Sequence, residues 1–446
     1  MRTLVATVVA LALATAAATG SAAAQEGAGT TAFVNVNVVP MDSERVLRGH
    51  TVIVRGDRIV EVGPAASVTV PAGATVVEGG GRYLAPGLAE MHGHVPPPNA
   101  PAQYTDDVLF LYVANGITTV RGMLGAPGQL DLRARVQAGG VVAPTLYLAG
   151  PSFNGNSVTS PARAEEMVRE QKSEGWDLLK IHPGVSRAGY DAMVRTAREV
   201  GIRFGGHVPQ DVGLLHAIES GQETFDHVDG YVELLSGSDG ELEEAALQDV
   251  VRRTREAGAW IVPTMALWEV LLGTLELDDL TGYPELRYMP RNQVEQWTNA
   301  YRQRTAAANY NRANAQRVAG NRMRILRALH EGGVGILMGT DAPQQFSVPG
   351  FALHREFERM AEAGMSPYEI LESGTANVGR YFADWDDFGT VAPGQRADLI
   401  LLDSNPLDDW RGLAAISGVM TRGRWIPGSE IEAGLERIAA SRAAGS

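Results

Sequence analysis

Between residues 83 and 341 short apolar runs alternate with helical stretches eight times over, and this alternation restricts the fold more than any other property of the chain. The runs are Tyr83–His94, Ile117–Gly122, Thr145–Gly150, Asp177–His182, Arg203–His207, Glu223–His227, Trp260–Thr264 and Val334–Asp341. Helical periodicity fills several of the intervals, as in Ser160–Glu174, Arg187–Val200 and Leu242–Ala257. Strands alternating with helices build a parallel sheet, and eight such units predict an α/β fold closed into a (β/α)8 TIM-like barrel over residues 86–386.

The flanks read differently. From Ala32 to about Leu84, strands such as Thr51-Val-Ile-Val-Arg and Arg58-Ile-Val-Glu-Val are broken by Gly-Asp and Pro-Ala-Gly turns. Strands of the same character return in Ala397-Asp-Leu-Ile-Leu-Leu and in Ser417-Gly-Val-Met-Thr-Arg-Gly-Arg-Trp. Residues 30–85 and 387–430 are therefore expected to complete one small discontinuous β-sandwich domain. Within the barrel, residues 265–323 are longer than a connection needs and rich in Asn, Gln, Arg and Tyr, which predicts a lid.

With 446 residues, 45% of them hydrophobic, the chain can bury a large core, which excludes disordered, collagen-like and coiled-coil classes. A net charge of −14 without any Lys/Arg run excludes nucleic acid as a partner. The start, Met1-Arg2, an apolar run from Leu4 to Ala18, then Ser21-Ala22-Ala23-Ala24, predicts a signal peptide over 1–24 and export to the periplasm or medium. That run is shorter than the roughly 20 residues of a membrane span, and no later segment is comparable. The chain has no cysteine, so thiolate catalysis, disulfides and thiolate zinc sites are excluded.

Polar residues with metal-ligand chemistry recur where the predicted strands end, the place at which such barrels build their active sites. His92-Gly-His94 puts two imidazoles at i and i+2, on the same side of a strand, where they can converge on one ion. Two such histidines also occur by chance, and position adds the weight. Lys180 closes Trp176-Asp-Leu-Leu-Lys-Ile and is one of only two lysines among 38 basic residues, the other being Lys172. A chain so biased to arginine places lysine where a tunable amine is needed, such as one that reacts with CO2 to give a bridging carbamate; an ordinary snorkelling lysine is the alternative. His207 and His227 each end a strand, although singly either could be a core histidine. Asp341, in Met338-Gly-Thr-Asp-Ala-Pro, offers a carboxylate that could bind a metal and accept a proton from attacking water.

The segments Leu84-Ala-Pro-Gly-Leu-Ala-Glu-Met-His-Gly-His, Gly175-Trp-Asp-Leu-Leu-Lys-Ile, Phe204-Gly-Gly-His, Phe225-Asp-His and Gly339-Thr-Asp-Ala resemble the amidohydrolase superfamily. The tail Gly389-Thr-Val-Ala-Pro-Gly-Gln-Arg-Ala-Asp-Leu-Ile-Leu-Leu-Asp is similar to its closing β-segment, and the branch most resembled is the prolidase-like and imidazolonepropionase-like one. The resemblance implies two divalent ions, with zinc the best match to the ligand types. It implies His92, His94 and Asp341 on one ion, His207 and His227 on the other, and carbamylated Lys180 between them. Two departures, Ile181-His182-Pro183-Gly184 and Val120-Arg121-Gly122, concern the substrate side and count against a simple transfer of dipeptide specificity.

His182, two residues beyond Lys180, points to the same mouth and could polarise a carbonyl, or could merely cap the strand end. Arg121, Asn154, Tyr231 and His354 complete the candidate substrate contacts, while His50, His216 and His330 read as structural. The expected reaction is hydrolysis of an amide or peptide-like C–N bond by a metal-bridging hydroxide, with Asp341 as base and then acid. A lactonase or carboxylesterase on the same site is the main alternative, and a non-catalytic exported binding protein is the reading from another class. A mononuclear deaminase fits less well, because Val-Pro-Gln-Asp follows His207 and Lys180 would be idle. The amide- and arginine-rich insert suggests polar or carboxylate-bearing substrates, such as N-acyl amino acids or dipeptides. A homo-oligomer stays open.

Overall fold

The computed structural model describes residues 29–236 and 240–444; the expected signal peptide over 1–24 lies outside them. Among the described residues no helix is long and apolar enough to cross a membrane. The N-terminal strands are β1 (Thr30–Val38), β2 (Leu47–Arg55), β3 (Arg58–Pro64), β4 (Thr75–Glu78) and β5 (Tyr83–Pro86). Gly56 at φ 58° turns β2 into β3, with Arg55 facing Arg58 across the Gly-Asp turn. Eight parallel strands follow: β6 (Leu88–Gly93), β7 (Ile117–Gly122), β8 (Thr145–Leu148), β9 (Leu178–Ile181), β10 (Arg203–Gly206), β11 (Thr224–Asp226), β12 (Trp260–Val262) and β13 (Gly335–Ile336). The C-terminal strands are β14 (Leu399–Leu402), β15 (Ile416–Thr421) and β16 (Arg424–Pro427).

Both chain ends enter one mixed sheet of eight strands, ordered β16-β15-β14-β5-β1-β2-β3 with β4 beside β1. The first predicted strand, Tyr83–His94, is in fact two. Gly87 N donates to Asp398 O at 2.8 Å and Leu88 N to Gly116 O at 2.9 Å, so the backbone changes sheets within one residue. Only glycine fits at that crossing, because a Cβ on Gly87 would lie 2.2 Å from Thr118 Oγ1.

The parallel strands form a set of three, β6-β7-β8, and a set of five, β13-β12-β11-β10-β9. Single bridges join the sets at one seam, Ala149 to Leu178 and Phe153 to Ile181. At the other seam Met91 N donates to Met338 O and Asp341 N to His92 O, both at 2.7 Å. The intervening helices start and stop on local signals: Ser160 and Ser186 accept from Arg163 N and Gly189 N, and Gly175 and Gly201 take left-handed backbone at the C-termini. The fold is thus α/β, with parallel sheets framed by a mixed sheet built from both ends.

The long 265–323 interval is helical. Met265–Leu272 and Arg312–Glu331 pack on the body, with Ile325, Leu326 and Leu329 fully buried, so the extra element narrows to residues 273–311. Its longest helix is Arg291–Thr305. The last described element is a helix, Gly428–Ala444, beyond the strands expected at this end; Ile431 and Ile438 are its buried residues.

Candidate functional site

Strand ends carry the site because a side chain at the C-terminal end of a parallel strand escapes the packed interior yet stays fixed by the ladder. His92 lies near the end of β6 and His94 directly follows it, Lys180 lies in β9, His207 and His227 follow β10 and β11, and Asp341 follows the β13 stretch. One ligand atom each from His92, His94 and Asp341 lies within 4.8 Å of the others. His94 Nε2 is 2.5 Å from Asp341 Oδ1, and His92 Nε2 is 3.6 Å from the same oxygen. His227 Nε2 lies 3.7 Å from Asp341 Oδ2, and Lys180 Nζ lies 3.2 Å from His92 Nε2. The His227 ring stands 4.5 Å from His92 and 4.6 Å from His207, centroid to centroid. All six residues named from the sequence meet in one cluster.

At His92, His227 and Asp341 the surroundings favour the protonation states that a metal needs. Burial, reinforced by the Lys180 charge, holds the His92 imidazole near a pKa of about 4, and burial also pushes His227 well below its ordinary value. Burial alone would raise the Asp341 carboxyl, but His92 and His94, with the hydrogen bond from His94, hold it well below the usual carboxylate range. Lys180 is fully buried, and burial lowers its amine toward neutrality against the pull of Asp226.

Backbone strain is concentrated here. His227, Thr264 and Asp341 all adopt left-handed backbone, at φ 65°, 50° and 63°. Such strain persists only where surrounding bonds enforce it. Thr264 Oγ1 lies 2.7 Å from His227 Nδ1, and the Arg322 guanidinium donates to the His227 carbonyl. Directly after Thr264, the Met265 and Ala266 amides donate to the buried Glu356 carboxylate at 2.8 and 2.9 Å.

Several carboxylates of the site escape the sequence reading. Asp226, buried beneath the cluster, has Oδ2 at 2.8 Å from His92 Nδ1, out of hydrogen-bond alignment, and at 3.4 Å from Lys180 Nζ. Burial would raise its carboxyl, but His92, Arg121 and Lys180 hold it well below the ordinary value. Glu90 accepts from His92 N at 3.0 Å and Thr340 N at 2.7 Å, locking the His92 and Asp341 segments together. Asp229 Oδ2 lies 2.6 Å from His207 Nδ1 and sets the direction of that ring. A carboxylate inside an apolar strand, as at Asp226 and Glu90, was the available signal, since such groups are rarely buried unpaired.

The expected substrate contacts divide. His182 stands at the mouth with its ring 4.9 Å from that of His207; its Nδ1 is buried without a partner, and burial beside Lys180 and His207 depresses it to about 3. Arg121 is not at the mouth: it has no exposed surface and donates to Met91 O, Thr224 Oγ1, Tyr381 OH and Asp226 Oδ1. Tyr231 is likewise fully buried, with its hydroxyl on Thr254. The Asn154 side-chain oxygen is taken by the amides of Asn156 and Ser157 in its own loop. His354 packs edge-on to Phe357 in the helix Ala352–Glu362, apart from the histidine cluster.

Residues 83–426 match the model of the Amidohydrolase family. Among curated proteins the chain is similar to Adenine deaminase 3 of Rhizobium meliloti (strain 1021), 22% identical over 375 residues covering 80% of this chain and 52% of the relative. It is also similar to an adenine deaminase of Ruegeria sp. (strain TM1040), 31% identical over 396 residues covering 85% of this chain and 55% of the relative. The chain thus spans about half the length of the curated relatives it matches. Among solved structures, a bottromycin amidohydrolase superposes with a TM-score of 0.74 at 24% identity, covering 96% of this chain and 94% of that one. A Xaa-Pro dipeptidase with bound methionine in its active site gives 0.68 at 20% identity, covering 89% of this chain and 100% of that one. These two likenesses are of fold. The family match runs from β5 to β16 and takes in every residue of the histidine cluster, and the chain belongs to the Amidohydrolase family.

Proposed function

We propose that this protein is a metal-dependent hydrolase of C–N bonds whose eight parallel strands close into a barrel, with the site at the C-terminal strand ends. The observation that carries the reading is the convergence of His92, His94 and Asp341 within 4.8 Å, with Lys180 and His227 against them. Their chemistry fits metal: neutral imidazoles, an ionised carboxylate and a buried amine inclined to be neutral enough to take up CO2. His92, His94 and Asp341 would hold one ion and His207 and His227 a second, with Lys180 as a carbamate between them. Divalent ions there, zinc suiting such donors, would supply Lewis acidity and lower the pKa of bound water.

Asp341 takes the proton of the attacking water and returns it to the leaving nitrogen, held in place meanwhile by His94 and the bond from its own amide to His92 O. His182, kept neutral, offers an N–H to the substrate carbonyl oxygen. Asp226, paired with Arg121, places a fixed negative charge 2.8 Å from His92 Nδ1.

Elemental analysis of the purified protein, grown with bicarbonate and compared with Lys180→Ala, tests this. Near two metals per chain, falling sharply in the variant, is expected; a metal-free wild type would sink the proposal. A second reading, deamination of an aminopurine, is favoured by the adenine deaminase names of the curated relatives. Ammonia release from adenine, against hydrolysis of dipeptides, N-acyl amino acids and esters, separates the two.

A further inference from the structure

Beside His94 lies a cavity of about 380 Å³ lined by apolar and amide side chains. Pro96, Tyr104, Leu124 and Pro343 form its walls, and Gln293 reaches into it from the insert helix Arg291–Thr305. Apart from His94 itself, no ionisable Asp, Glu, Lys or Arg is among its lining residues. The insert arginines that suggest carboxylate ligands from sequence stand elsewhere: Arg302 is exposed, and Arg304 is spent on Val270 O and the Gln345 side chain. The Arg442 guanidinium, 5.6 Å from the Tyr104 ring centroid, is spent on Asp107 and the Tyr288 carbonyl, so a substrate carboxylate placed in this cavity would meet no cationic side chain in its lining, whereas an apolar group would gain from burial.

Gln293 is held at a defined angle. The Tyr104 hydroxyl donates to its Oε1 at 2.9 Å, which turns the Nε2 amino group the other way, and among the described residues no acceptor meets that group. Gln293, Trp297, Tyr301 and Arg304 share one face of the helix, and that face lies on the loop following Asp341: the Trp297 ring is 5.9 Å from Phe346, and Arg304 reaches Gln345. The insert helix is therefore seated against the same loop that carries the acid–base carboxylate.

We propose that this cavity is the subsite for one side of the scissile bond. It takes an uncharged group of ring size with an oxygen acceptor for Gln293 Nε2. Gln293 is then a specificity-determining residue supplied by the insert, and N-acyl amino acids or dipeptides enter with their neutral side here and any carboxylate outward. This rests on the hydrolase reading above.

Binding of three metal-directed probes, benzohydroxamate, 4-carboxybenzohydroxamate and acetohydroxamate, by titration calorimetry to the protein as purified tests the subsite without turnover. Wild type is expected to bind benzohydroxamate at least about tenfold tighter than its carboxylated twin. Gln293→Arg should close that gap, and Ala126→Trp, which fills the cavity, should weaken benzohydroxamate about tenfold while leaving acetohydroxamate unchanged. Equal or tighter binding of the carboxylated probe by wild type, or indifference of benzohydroxamate to Ala126→Trp, overturns the proposal. Metal content measured on the same samples judges the hydrolase reading separately.

Discussion

Arg121→Met is the substitution that most directly probes how the site is supported. Neither Arg121 nor Asp226 has exposed surface, and the guanidinium makes four hydrogen bonds, to Met91 O at 2.6 Å, Thr224 Oγ1 at 3.1 Å, Tyr381 OH at 3.4 Å and Asp226 Oδ1 at 3.3 Å. Methionine fills most of the volume but leaves the Asp226 charge without its fixed cation and the Met91 carbonyl without a donor. Removing one partner of a buried pair costs about 3–5 kcal/mol. Unfolding about 400 ordered residues carries an entropy of roughly 0.9 kcal/mol/K, so the melting temperature should fall by roughly 3–6 °C. Asp226→Asn should cost a similar amount, because it strands the guanidinium. The double variant should cost about 2 kcal/mol or more below the sum, since it removes both charges at once. Calorimetric melting of the four proteins reads this, with Arg252→Ala, whose pairs to Asp249 and Glu256 are half exposed, as a control expected to move by less than about 1 °C. If Arg121→Met melts within about 1 °C of wild type, the guanidinium is not what holds Asp226 under His92.

Asp341→Asn should retain metal yet lower kcat by about 100- to 10,000-fold with little change in KM on any substrate found by screening, because the carboxamide cannot carry the proton. Glu356 is raised by burial to about 7, so the folded protein holds a proton that the unfolded chain has released above about 4.5. The Glu356 contribution to stability should therefore fall as pH rises from about 4.5 to 7, by about 2–3 kcal/mol, and the difference between wild type and Glu356→Gln in urea unfolding should change by that amount across the window. Gly87→Ala should destabilise by at least about 1–3 kcal/mol in the same assay, and the addition of Thr118→Ala should restore part of the loss.

The parts legible in the sequence are those with a period or a position. All eight parallel strands were visible as apolar runs, and the histidines stood out because they fell where the runs stopped. What was hidden depended on partners far apart in sequence. Asp226 is marked in its strand only as a lone carboxylate, and its partner Arg121 lies 105 residues away, so the buried pair emerges only in the fold; read alone, Arg121 looks like a substrate contact. Tyr231 invites the same mistake, since a tyrosine just after a strand-end histidine says nothing of Thr254 waiting inside. The change of sheet at Gly87 was invisible because Tyr83–His94 is a continuous strand by composition, and what divides it is a switch of backbone partners, from Asp398 O at Gly87 to Gly116 O at Leu88.

The placement of β5 has a consequence for synthesis. Its one edge pairs with β1 as soon as Tyr83 emerges, but its other edge is completed only by β14, with Leu84 facing Leu401. At roughly 5–20 residues per second a ribosome needs on the order of 15–60 seconds to make the intervening chain. For that interval the nascent protein carries an open, apolar strand edge in the middle of what will be its mixed sheet. A chain halted before Leu399 would keep that edge for good, and would be expected to aggregate even with every residue of the histidine cluster already made.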